Sequence, residues 1–128
     1  MKDINDESDI RILVDAFYRK VLVDPVIGFI FTEIADLSWE KHMPVMYAFW
    51  SSTLLGVAGY NSNPMEKHFH LDKKIKLEKA HFDQWLKLWE ETVHELFSGK
   101  TSEEAISRAK NIAALMHHKI AQQRNINS

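Results

Sequence analysis

Between Phe82 and Phe97 the apolar residues return every three or four positions, as Phe82, Trp85, Leu86, Trp89, Val93, Leu96 and Phe97. Only an α-helix gathers such a set on one face, because its side chains repeat every ~3.6 residues while those of a strand alternate. Two further stripes keep the same spacing. Ile10, Leu13, Val14, Phe17, Tyr18 and Val21 predict a helix over about 7–23; His42, Met46, Phe49, Trp50, Thr53, Leu54 and Val57 predict a second, with His42 on its buried side. A last helix is expected to open at Thr101 or Ser102, with Glu103 and Glu104 favouring its positive end and Ala105, Ile106, Ala109, Ile112, Ala113, Met116 and Ile120 turned inward. No segment alternates convincingly at period two, so the expected fold is all-α.

The breaks between the stripes come from backbone chemistry. Asp24-Pro25 ends the first helix, since proline disfavours helical geometry in the residue before it and has no amide hydrogen. Val26-Ile27-Gly28-Phe29-Ile30-Phe31 is short and almost uniformly apolar, and reads as a buried short helix or turn. Pro44 lacks a donor too, so the regular part of the second helix is expected to begin only just before it, with Asp36 or Ser38 as cap. Gly56 to Pro64 is rich in turn residues. Residues 65–80 are lysine-rich without a sustained period, and a loop enclosing at most one short helix is expected there. Ser98-Gly99 stops the third stripe. The polar ends, 1–6 and 122–128, are expected to fray. With no repeat or linker, 1–128 reads as a single domain.

Composition narrows the function. A chain that is 45% hydrophobic and 27% charged suits a water-soluble core, and no run approaches the ~18 apolar residues of a membrane span. The polar, acidic start Met1-Lys2-Asp3-Ile4-Asn5 lacks the basic patch and apolar run of a secretory signal, so the expected location is cytoplasmic. Without cysteine there is no disulfide, thiolate zinc site, iron–sulfur cluster or covalent Cys-x-x-Cys-His haem attachment. A net charge of −2 offers no broad positive field for phosphate backbones. Neither nucleic acid nor membrane is an expected partner.

Phosphate-binding glycine loops, nucleophile elbows and His-Glu-x-x-His zinc helices are absent from the sequence. His81 and His94 fall outside the apolar stripe of their helix and His117 and His118 lie near the chain end, so all of them are expected to face solvent. His68-Phe69-His70 offers two metal ligands, but a zinc site needs a third partner. The abundance of Phe, Trp and Met fits an ordinary packed core equally well. Taken together, however, an interior Tyr18, an interior His42, an inward Trp85 and one ligand candidate after a loop describe an apolar helical cage that suits an oxygen-binding haem.

The motifs make this specific. Ala16-Phe17-Tyr18-Arg19-Lys20-Val21, Trp39-x-x-His42-x-Pro44-x-Met46-x-x-Phe49-Trp50, Tyr60-Asn61-x-x-Pro64-x-x-x-His68-x-x-Leu71 and His81-Phe82-x-x-Trp85-Leu86-x-Leu88-Trp89 resemble the third group of truncated haemoglobins (group III) in order and spacing. The resemblance runs from about residue 10 to 120. It implies a shortened two-over-two globin fold around a non-covalent haem b. It also implies His68 as iron ligand, Tyr18, His42 and Trp85 as the distal pocket, Phe31 against the haem face, Met46 one turn beyond His42, Phe49 at the haem edge and Leu71 beneath the porphyrin. The paired glycines of the first two truncated groups are missing; Gly28, Gly56 and Gly59 stand alone.

The resemblance implies dioxygen, nitric oxide and carbon monoxide as ligands, and an electron-donating reductase as partner. Nitric oxide dioxygenation or peroxide chemistry is the expected activity. Ligand storage or sensing without turnover, and a cofactor-free helical interaction protein, stay open as alternatives.

Overall fold

A computed structural model describes every residue except Asp36, Gly59, 61–63 and Ser128, and omits the side chains of 64–66 and 126–127. It is built from α1 (Glu7–Leu22), a π-helical turn (Ile30–Ile34), α2 (Trp39–Leu55), α3 (Pro64–Lys74), α4 (Lys79–Leu96) and α5 (Lys100–Asn127). Among the described residues there is no strand, and no helix is long and apolar enough to cross a membrane.

α1 buries the expected face, Ile10, Leu13, Val14, Phe17, Tyr18 and Val21. Asp6 caps it by accepting from the Asp9 amide at 3.0 Å, and Arg19 and Lys20 sit in its last turn against the negative end of the dipole. After Pro25 the chain reverses around Asp24, whose carboxylate accepts from the amides of Val26 and Ile27, both at 2.9 Å. Gly28 then passes so close to α1 that a Cβ there would lie 2.9 Å from the Val21 carbonyl oxygen. This close approach lets the apolar run that follows return over α1; the short element expected there is only partly buried, since Ile27 and Ile30 turn inward while Val26 and Phe29 are exposed.

α2 packs on α1, and the Tyr47 hydroxyl donates across the pair to Asp15 while Arg11 lies 4.9 Å from the Tyr47 ring centroid. α2 begins at Trp39, five residues before Pro44, the start that a cap at Ser38 requires. The donor that Pro44 lacks would have met the Glu40 carbonyl; both residues are exposed, so water can replace it. Ser38 occupies the cap position but makes no side-chain cap bond, and Asp36, the other candidate, lies outside the described residues. Gly56 ends α2 in the left-handed conformation, φ 70°. Of the turn expected over Gly56 to Pro64, Gly59 and 61–63 also lie outside the described residues.

The stretch 65–80, expected as a loop enclosing at most one short helix, is mostly helix. α3 runs from Pro64, at a first-turn position where proline costs nothing, to Lys73 and Lys74, whose charges oppose the dipole at its end. What holds it is distant in sequence. Asp72 accepts from the Leu77 amide at 2.8 Å and from Arg124 Nε at 3.0 Å, and Arg124 Nη2 also donates to the Leu77 carbonyl at 2.7 Å. The guanidinium holds the Asp72 carboxyl below its ordinary range. This clamp ties α3 and the short link after it to α5, and it extends α5 through the stretch expected to fray.

The N-terminal residues do not fray either. Ile4 is 1% exposed, and the Ser98 amide donates to the Lys2 carbonyl at 3.0 Å. Asp3 caps α5 by accepting from the amides of Thr101 and Ser102 at 2.9 and 2.8 Å and from the Ser102 hydroxyl at 2.6 Å. The cap expected from Thr101 or Ser102 thus comes from the other end of the chain, and α5 begins at Lys100. Burial raises the Asp3 pKa, but the bonds from Ser102, Thr101 and Ile4 outweigh it and hold the carboxyl down to about 2. Asp3→Ala is therefore expected to cost about 1–2 kcal/mol at neutral pH, read as a lower denaturant midpoint. Because the folded value lies below the unfolded 3.8, this contribution is complete above pH 3.8 and lost as the pH falls toward 2.

α4 packs on α1 and α5, and α3 on α5. Trp89 and Phe17, both 1% exposed, meet at the centre of one apolar cluster. Trp89 stacks on Trp50 at 4.3 Å and donates its indole N–H to the Ala105 carbonyl at 3.1 Å, so it ties α4 to α2 and α5 together.

Candidate functional site

A cavity opens between the helices, enclosing about 970 Å³ of space including its mouth. Tyr18 from α1, Phe31 from the π-turn, His42, Met46 and Phe49 from α2, His68 and Leu71 from α3, and Trp85 from α4 all border it. Every side chain that the motif resemblance implies at the haem thus borders one cavity. His70, the second histidine of the pair, is exposed and is not among the lining residues. The described residues gather no set of three His, Asp or Glu side chains able to hold a metal ion directly, so the third partner of a zinc site is not supplied among them.

The helical periods explain the convergence. His42, Met46 and Phe49 follow at four and three residues on α2, and His68 and Leu71 at three on α3, so each set shares one face. Trp85 is fixed by the core behind it. It lies parallel to Trp89 at 6.3 Å and meets Phe17 at right angles at 5.8 Å.

At one wall His42 Nε2 and the Tyr18 hydroxyl lie 3.1 Å apart, within hydrogen-bonding distance. Their rings form a cluster with Phe31 and Trp39. Trp39 meets Tyr18 and His42 edge-on at 5.5 Å each and stacks on Phe31 at 6.5 Å. Burial pushes the Tyr18 phenol well up, so it stays a protonated donor. Burial pushes His42 down, helped by the charge of Lys67 and by His68, to about 4; its imidazole is neutral at physiological pH. The wall therefore carries hydrogen-bonding groups without net charge.

Two histidines differ from expectation. His81 borders the cavity: it precedes Trp85 by four residues on α4 and so shares its face, and its Nδ1 accepts from the Glu78 amide at 2.9 Å. His117 is half-buried, its ring 5.5 Å from Phe82. His94 and His118 are exposed as expected. Leu77 and Tyr60 also border the cavity, unforeseen; one stood in an aperiodic lysine-rich run and the other in a turn. The α5 residues Ile112, Ala113 and Met116, expected only as core, also border it.

Residues 2–119 match the family model of the bacterial-like globins. The chain is 34% identical over 114 residues to the group 3 truncated haemoglobin ctb of Campylobacter jejuni, covering 87% of each sequence. Its structure matches the crystal structure of a group III truncated haemoglobin from Campylobacter jejuni with a TM-score of 0.80 at 29% identity, over 94% of this chain and 95% of that one. These matches bear out both the expected all-helical truncated globin fold and the motif resemblance. The chain belongs to the bacterial-like globins, within them to the third group of truncated haemoglobins, and haem-based ligand binding comes with that family.

Proposed function

We propose that this chain holds haem b non-covalently in the cavity, with His68 as the iron ligand and with Tyr18, Trp85 and His42 facing the bound gas. The observation that carries the reading is the cavity itself. Its lining is apolar and aromatic apart from a few polar groups, which suits a flat hydrophobic macrocycle. His68 supplies an imidazole from α3, while hydrogen-bonding side chains enter from three other helices. Phe31, Met46, Phe49 and Leu71 provide the apolar contacts.

Haem, when bound, supplies reversible binding of dioxygen, nitric oxide and carbon monoxide and a one-electron change at iron. The protein's part is to aim donors at the gas in a site of low dielectric, where a hydrogen bond to a partly charged acceptor is strong. A protonated Tyr18 can do this while its oxygen accepts from the Nε2–H tautomer of a neutral His42. Trp85 offers an indole N–H from α4. Tight retention of dioxygen favours reaction over transport. The reading therefore extends to oxidation of nitric oxide by dioxygen, or to peroxide chemistry, in the cytoplasm with a reductase as electron source.

The first test is the absorption spectrum of the purified protein in the ferric, ferrous and carbon-monoxide-loaded states. A histidine-ligated haem spectrum is expected; a protein that takes up no haem overturns the reading. Nitric oxide consumption with a reductase present then separates turnover from storage.

Haem should also stabilise the fold, since a ligand bound only by the native state shifts the equilibrium toward it. At free haem about a thousandfold above its dissociation constant the gain is about 4 kcal/mol, which for a domain of this size raises the thermal midpoint by roughly 10 °C or more. Equal midpoints for the apo and haem-loaded proteins would contradict a resident cofactor.

A further inference from the structure

We infer that Trp39 is a positioning residue that holds the His42 imidazole against the Tyr18 hydroxyl, and so sets how open the gas-binding side of the cavity is. The inference rests on the reading of Tyr18 and His42 given above, and goes beyond it by assigning a function to a residue outside the cavity lining.

Trp39 is the first residue of α2 and precedes His42 by three positions, so the two side chains project from the same side of one turn. The ring planes of Trp39 and His42 stand at 86° with centroids 5.5 Å apart, and those of Trp39 and Tyr18 at 69° and 5.5 Å. Tyr18 and His42 are themselves 5.3 Å apart at 81°. Each of the three rings thus meets the other two edge to face, the arrangement that aromatic quadrupoles favour. Phe31 stacks on Trp39 at 6.5 Å and meets Tyr18 at 5.9 Å, so the indole is itself held in place.

The consequence for His42 is geometric. Its side chain is half-buried and has one polar tie in this cluster, the 3.1 Å approach of Nε2 to the Tyr18 hydroxyl. One such contact fixes a distance but leaves the ring free to turn about it. The indole packed at right angles to it removes that freedom. Without it the imidazole can leave the phenol, which empties the wall beside Tyr18 and widens the way in.

The test compares Trp39→Leu, Trp39→Phe and His42→Leu with the parent protein, all loaded with haem and carbon monoxide. Infrared absorption of the carbon–oxygen stretch reports the polar groups near the gas, and flash photolysis gives its rebinding rate. Loss of one aromatic pair corresponds to a change of about 2- to 13-fold in the balance between held and released His42. Trp39→Leu should therefore raise the share of the band seen in His42→Leu by that factor and speed rebinding in the same direction. Trp39→Phe, which keeps a ring, should retain the parent band. A merely structural role would lower the thermal midpoint without transferring intensity between bands. If Trp39→Leu keeps the parent band while His42→Leu changes it, the inference about Trp39 fails and the reading of the site stands. If His42→Leu leaves the band unchanged as well, the site reading and the inference both fall.

Discussion

Replacing Tyr18 by Phe is expected to speed dioxygen release from the haem-loaded protein by roughly 10- to 150-fold, the range set by losing a hydrogen bond of about 1.5–3 kcal/mol to a partly charged acceptor. The substitution removes only the phenolic oxygen, so the ring packing against Phe17, Phe31 and Trp39 is retained. Carbon monoxide carries little charge when bound, and its release should change far less. That difference separates a hydrogen bond from a change of shape. Trp85 borders the same cavity and can take over part of the vacated contact, so the Tyr18→Phe, Trp85→Phe double variant belongs beside both single variants. Stopped-flow release of dioxygen from all these proteins gives the answer. Rates within about twofold of one another, less than half a kcal/mol, would remove Tyr18 and Trp85 from the gas-binding side.

His68→Ala should abolish the iron–histidine stretching vibration of the ferrous protein and weaken haem retention, whereas His70→Ala should leave both intact. The two imidazoles are two residues apart on α3, so they point to different sides of the helix. His68 borders the cavity; His70 is exposed and does not. Resonance Raman spectra of the ferrous variants distinguish them, and transfer of haem to an apoglobin acceptor measures retention. Disappearance of the band in the His70 variant alone would reverse the assignment.

The aromatic core and the cavity explain each other. Trp89 is anchored to the α5 backbone at Ala105 and stacked between Trp50 and Trp85, so Trp85 cannot turn without disturbing packing at the centre of the fold. Tyr18 adjoins Phe17 at 5.1 Å and shares with it the buried face of α1. The groups proposed to meet the gas are thus carried on rigid helices rather than on loops, which is how a site keeps its donors aimed.

Periodicity alone determined the helices that bury a broad face. α1 and α4 carry their inward residues at three- and four-residue spacing, and any other backbone would scatter those side chains. The motifs also selected side chains that converge on one cavity, because a helical spacing carries a fixed direction with it. α3 was not legible in this way. Its lysines and histidines give no sustained apolar period, and its end is secured by Arg124, 52 residues away from Asp72. The start of α5 is likewise secured by Asp3, 98 residues before the Thr101 amide that it caps. Such contacts have no local pattern, since each partner alone is an ordinary polar residue; only the folded chain brings them within hydrogen-bonding distance.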